Sequence, residues 1–309
     1  MIKRNDFQRP TPNAQRPKRR EQKLFILTFL GPALALYALF VLLPAVNACR
    51  YSLLRWDGLG TATWAGLHNF GRLLRSGSDY LPAIQHNLFL TFVPGVFILT
   101  LALFFAYSIH QGVRGARLFR ITFFFPNIIS SVATALLWIF LYSTSGVGLL
   151  NNLLKRLFHV SQPIAFTETH NLLWAMVPMI VWAATGFYMV LFLAAMENIP
   201  ETYYEAARLD GASSSHLFRY VTLPLIWDVL ATGVVFLVIG GLKMFDGVWI
   251  MENGRPSPET HTLSTLMYSR VFEEYNVGHG TAIAVLQFVL VLLASLISMR
   301  LMRRERLEY

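Results

Sequence analysis

Six stretches of this chain are so long and so apolar that they dictate its fold class: Leu24–Val46, Asn87–Ile109, Phe119–Tyr142, Leu172–Met196, Pro224–Leu242 and Thr281–Met299. A helix needs about 20 apolar residues to cross roughly 30 Å of hydrocarbon. Lipid offers no partner to backbone N–H and C=O groups, so each run must satisfy its own as a helix. With 55% hydrophobic and only 14% charged residues, and a mean hydropathy of +0.48, a soluble globule is excluded. An all-α membrane protein of six transmembrane helices is expected.

An even number of spans puts both termini on one side. Eight Lys/Arg, among them Lys18, Arg19, Arg20 and Lys23, precede the first run, and Arg300, Arg303, Arg304 and Arg306 follow the last. Arg114, Arg117 and Arg120 fall in one loop of that same side, and Arg208 and Arg219 in another, giving it 17 of the 26 basic residues. Both termini are therefore expected in the cytoplasm. The net charge of +9 reflects this bias and an attraction to anionic lipid. No nucleic-acid signature accompanies it.

The single cysteine, Cys49, cannot form an internal disulfide. The basic tail, apolar run and Val46-Asn47-Ala48-Cys49 superficially imitate a cleaved signal. The run exceeds a signal core, and its loss would invert the next span, so an uncleaved first helix is expected. Residues 1–23, with Pro10, Pro12 and Pro17, read as a mobile basic tail, 24–303 as the membrane domain and 304–309 as a C-terminal tail. Aromatics and turn residues in the first outer loop, 47–86, suggest short interfacial helices. Pro94, Pro126 and Pro178 fall inside runs two, three and four, where proline removes a backbone donor and kinks a helix.

The polar segment 197–223, between runs four and five, carries the most specific signals. Pro200 opens a helix that runs to Asp210, and Gly211 ends it in a left-handed conformation free of Cβ strain. Ser213 can cap a second segment, in which Leu217, Phe218 and Val221 form an apolar face. Such an elbow is suited to docking, or to packing under the membrane domain.

Glu205-Ala206-Ala207, Asp210-Gly211-Ala212 and Leu223-Pro224 resemble the EAA loop of ABC-importer permeases. Stretches around Tyr51–Leu53, Gly66–Phe70, Gly148–Asn151, Ile199–Glu201 and Lys243–Asp246 resemble its carbohydrate-uptake, maltose-type branch. The resemblance implies a type I ABC-importer permease fold in a prokaryotic cell membrane. It also implies a second homologous permease, two ATPase copies that bind ATP and Mg, and an extracytoplasmic solute-binding protein. Glu205, Ala206, Ala207, Asp210, Gly211, Ala212, Leu223 and Pro224 are then the ATPase-docking residues. The branch resemblance implies a sugar or oligosaccharide as cargo; two departures, Asp228 where the branch has proline and Gly254-Arg255-Pro256 where it has Gly-Gly-Pro, keep another polar solute such as glycerol phosphate as the alternative.

Other chemistry finds little support in the residues. No Gly-x-x-x-x-Gly-Lys-Ser/Thr run is present, so no nucleotide site, cofactor or catalytic residue is assigned to this chain. The eight histidines are scattered without metal-binding spacing. An ion-coupled secondary transporter requires buried ionisable relays, which these spans nearly lack. Asp228, Lys243 and Asp246, at the ends of run five, read as structural or hydrated groups. Trp174, Trp182, Phe187 and Tyr188 read as packing or interfacial aromatics rather than sugar platforms. No substrate residue is assigned.

Overall fold

The structure, a computed structural model, describes residues 19–303 apart from positions 76 and 161. Most of the expected 1–23 tail and all of 304–309 lie outside these residues. Helix α1 (Arg19–Tyr37) takes up the last residues assigned to that tail and runs through a π-helical stretch, Ala38–Leu42, into α2 (Leu43–Ser52). The chain divides into two compact units, one ending at Ala48 and the other beginning at Cys49.

Beyond α2 come a hairpin, β1 (Leu54–Arg55) and β2 (Thr63–Trp64), and a short α3 (His68–Leu73). The strands are antiparallel, with Leu54 opposite Trp64. The first outer loop, expected as short helices, thus holds one short helix, α3, and a hairpin besides. The hairpin closes because Asp57 Oδ1 accepts from the Leu59 and Gly60 amides at 3.0 and 2.8 Å, a side chain imitating a backbone turn. The same two donors hold the Asp57 carboxyl below its ordinary range.

The long helices follow the apolar runs: α4 (Tyr80–His110), α8 (Thr169–Glu197), α12 (Trp227–Leu242) and α15 (Val277–Met302). Run three departs from expectation. It is a pair, α5 (Ala116–Ile128) and α6 (Ser131–Tyr142), bent by 99° at the junction. Pro126 denies the ladder one donor, Ile129 turns extended, and Ser130 Oγ caps the new helix by accepting from Ala133 N. Among the described residues five helices are long and apolar enough to span alone, and there are six if the bent pair counts as one span. Pro94 and Pro178, by contrast, sit inside the unbroken α4 and α8. The connecting elements are α7 (Leu149–Phe158), α9 (Glu201–Leu209), α10 (Ser214–His216), α11 (Leu223–Leu225), α13 (Asp246–Met251) and α14 (Leu263–Tyr268). π-helical turns cover Leu217–Thr222 and Ser269–Glu273.

Between lipid-bathed helices no hydrophobic force distinguishes protein from solvent, so close backbone approach supplies the cohesion. Gly186 of α8 is such a point, since a Cβ there would lie 2.0 Å from the Phe123 carbonyl oxygen of α5. Backbone cannot yield as a side-chain tip can. Gly186→Ala is expected to cost about 1–3 kcal/mol by overpacking and to lower the detergent melting temperature, whereas Gly240→Ala, with nothing within 4 Å, should not. Equal melting of the two variants would refute this contact. One buried cluster joins α4 and α8 to the 197–226 segment, a second joins α4, α6, α8 and α13, and a third joins α3, α4, α14 and α15.

Candidate functional site

Two features stand out: the elbow after α8 and a cavity at the two helix interruptions. In the elbow, α9 ends in a Schellman turn. The Ala212 amide donates to Ala207 O and the Gly211 amide to Arg208 O, both at 3.0 Å. Gly211 has φ +83°, the left-handed value expected from the sequence. Ala207 and Ala212 pack onto the same buried cluster.

The elbow is footed on the end of α4. Tyr204 is 1% exposed, its hydroxyl meets Thr222 Oγ1 at 3.1 Å, and its ring lies 5.3 Å from that of His110. Burial pushes its phenol above the ordinary value. Tyr107 Oη donates to Ser214 O at 2.8 Å and its ring meets Phe218. Ser213, positioned to cap the next turn, does not cap it; its hydroxyl turns to His216 Nδ1 at 2.7 Å.

Packing thus decides which elbow face is free. Leu217 is buried, and Phe218 and Val221 pack against the core, so the apolar face read from the sequence points inward. Leu223 and Pro224 are half-buried there as well, forming footing beneath the surface. The outer face is Glu205, Ala206, Asp210 and Gly211, with Leu209 90% exposed. Leu209 went unremarked in the sequence, although it follows Ala206 by three positions on the same helix side. Span five begins after a break at Ile226, three residues beyond α11's start, rather than at Pro224.

The second feature is a cavity of about 540 Å³ between α5, α6, α8 and the interruption separating α12 from α13. Lys243 and Asp246 line it, together with Asn127, Ser131, Thr134 and the small wall residues Ala183 and Ala184. Ser131 Oγ donates to Asp246 Oδ2, linking the first turns of α6 and α13. Both helices direct their N-terminal, electropositive ends here. Asp228 does not line the cavity, and neither do Trp174, Trp182, Phe187 or Tyr188. Tyr188 packs in the core and Trp182 meets Trp138 edge-on.

At the interruption of α12, side chains from three other elements bond the last carbonyls, of which Gly241 O also accepts from Met244 N at 3.3 Å. Asn87 Nδ2 donates to Gly241 O at 2.9 Å, Gln287 Nε2 to Leu242 O at 2.9 Å, Ser264 Oγ to Lys243 O at 3.4 Å and Thr262 Oγ1 to Met244 O at 2.8 Å. Asn87 Oδ1 also accepts from Leu263 N at 2.8 Å. The cavity floor is therefore fixed by hydrogen bonds where the helix ladder is missing. A lone amide inside an apolar run, such as Gln287, was the available sequence signal.

Residues 98–306 match the family of binding-protein-dependent transport system inner membrane components. The diacetylchitobiose uptake permease NgcF of Streptomyces coelicolor is 35% identical, over 90% of this chain and 83% of its own length. The trehalose/maltose permease MalF of Thermococcus litoralis is 31% identical over 94% of this chain and 97% of its own. Among solved structures, a bacterial ABC transporter for the acidic polysaccharide alginate superposes with a TM-score of 0.80 at 22% identity, covering 92% of this chain and 97% of that one. That sets the fold as the type I ABC-importer permease. With helices fit to span a bilayer, an interrupted path and relatives matched nearly end to end, the chain belongs to the inner-membrane permease components of binding-protein-dependent ABC importers.

Proposed function

We propose that this chain is one of two permease subunits of an importer that carries a sugar or oligosaccharide into a prokaryotic cell. ATP and Mg belong to a partner ATPase present in two copies, and an extracytoplasmic binding protein delivers the cargo. Relatives named for diacetylchitobiose, trehalose/maltose and lactose support the carbohydrate class. So does the cavity, whose volume of about 540 Å³ falls in the roughly 300–1,000 Å³ range of small-molecule sites. Its polar lining of Ser, Thr, Asn, Lys and Asp side chains suits hydroxyl groups.

The observation that carries the coupling assignment is the exposed outer face of α9 with its glycine turn, held rigidly to the end of α4. Glu205, Ala206, Asp210 and Gly211 meet the ATPase, while Ala207, Ala212, Leu223 and Pro224 hold the elbow's shape. Closure of the ATPase pair draws the elbows together and re-tilts the spans between inward-open and outward-open states. Both termini, the 1–23 and 304–309 tails and the elbow face the cytoplasm, with 24–303 forming the permease domain.

Gentle extraction of the tagged chain, with mass identification of its co-purifying partners, tests the assembly. A P-loop ATPase and a second permease are expected. Recovery of the chain alone, with uptake abolished by dissipating an ion gradient but indifferent to ATP depletion, would replace this reading with a secondary transporter.

A further inference from the structure

At the opposite end of α4 from the elbow lies a second cavity, of about 270 Å³, between the α3–α4 turn and the start of α15. The 31 residues of α4, at about 1.5 Å each, put the two ends roughly 46 Å apart. The cavity is lined by Arg72, Arg75, Ser78, Asp79, Arg270 and His279 among others. Arg270 is engaged, its guanidinium bonded to Asp79 and to Glu274. Among the described residues Arg72 and Arg75 pair with no carboxylate. His279 is 7% exposed, and its Nδ1, like Arg270 Nε, is buried without a hydrogen-bond partner.

Unpaired buried polar atoms are rare because each forfeits a hydrogen bond. Here two occur in residues lining one cavity, Arg270 Nε, which can only donate, and His279 Nδ1, whose role follows its tautomer, beside two uncompensated guanidiniums and the N-terminal end of the 26-residue α15. That helix end adds positive potential, although its Gly278 and His279 amides are already bonded to Trp56 O and Asn276 Oδ1. The groups acting electrostatically on His279, namely Arg72, Arg270 and His68, are all basic in kind, and the carboxylate in the lining, Asp79, is paired with Arg270. The volume is several times the roughly 30 Å³ share of one water, so a small ion fits with part of its hydration.

We propose that this cavity is a binding site for a small oxyanion, a carboxylate or a phosphate, held by Arg72 and Arg75 and bridging the α3–α4 turn to the start of α15. Guanidinium forks match both oxyanions in bidentate geometry, which chloride cannot use.

The test is thermal unfolding of the purified complex in detergent, titrated separately with inorganic phosphate and with acetate against chloride at equal ionic strength. Saturable stabilisation by at least one oxyanion is expected, and which titration saturates assigns the class. The Arg72→Gln/Arg75→Gln variant should need at least about tenfold more oxyanion for half-effect, while Lys155→Gln/Arg156→Gln, a basic pair elsewhere, should match the wild type. Both arginines are exposed, so the variant is expected to fold; Arg75→Gln alone repeats the comparison if the double variant does not purify. No saturable effect on the wild type, or an equal effect in the arginine variants, overturns the site.

Discussion

Gly211→Asp is expected to leave the chain inserted, folded and abundant in the membrane, yet to cut ATP-driven uptake at least about tenfold, a coupling loss of about 1.4 kcal/mol or more. Within the chain, a Cβ at this position meets nothing within 4 Å. Its φ of +83° imposes a backbone penalty, about 1–2 kcal/mol for most residues and least for Asn and Asp, which enter the left-handed region most readily. A folding defect is therefore the smaller effect. A large loss of transport has to arise from what sits against Gly211 outside the chain, where a branched carboxylate would hold the docked surface away. Gly211→Asn separates bulk from charge, and Gly211→Ala separates both from backbone strain. The measurement is uptake in reconstituted vesicles beside ATP hydrolysis and its response to loaded binding protein. Hydrolysis that continues while transport stops identifies uncoupling. Wild-type uptake by Gly211→Asp would remove the docking assignment, and a fall in melting temperature parallel to the fall in uptake would reduce it to a folding effect.

The positions of the long helices were readable because an apolar run of membrane length has one solution in lipid. The end of α9 was readable for a comparable reason: Gly211 is the residue that a left-handed turn requires. What the sequence obscured is the side to which things face. Leu217, Phe218 and Val221 have the spacing of an apolar face, but spacing is indifferent to whether that face meets a partner or the chain's own core, and Tyr204, Tyr107 and His110 turn it inward. Run three likewise had a visible kink signal in Pro126, yet a 99° bend is set by Ser130 capping the next helix and by Gly186 admitting the α5 backbone. Lys243 and Asp246 read as ordinary end-of-span charges because the cavity they share with Ser131, more than a hundred residues away in sequence, and the Asp246–Ser131 bond exist only after the helices pack.

That packing makes Asn87 the most consequential polar side chain in the membrane domain. It is fully buried, donates to Gly241 O and accepts from Leu263 N, so Asn87→Leu strands the Leu263 donor and leaves Gly241 O only its 3.3 Å bond from Met244 N. The stranded buried donor costs about 1–3 kcal/mol, and the bond lost at Gly241 O adds about 0.5–1.5 kcal/mol. Ordinary hydrogen bonds between membrane helices are weaker, averaging about 0.6 kcal/mol, because the separated helices find other partners. The distinction here is that Leu263 N sits at a helix start, without a ladder partner to fall back on. Asn87→Leu should therefore lower the detergent melting temperature by several degrees and depress uptake, since the segment carrying Lys243 and Asp246 loses its anchor. Asn87→Asp keeps the acceptor for Leu263 N and loses the donor to Gly241 O, so it should fall between the two. Gln287→Leu releases the next carbonyl, Leu242 O, and the Ser264 hydroxyl. Because both amides secure the same interruption, the double variant should be less destabilised than the sum of the singles. Additive losses would mean the two amides act independently, and an unchanged melting point for Asn87→Leu would mean the interruption is held by helix packing alone.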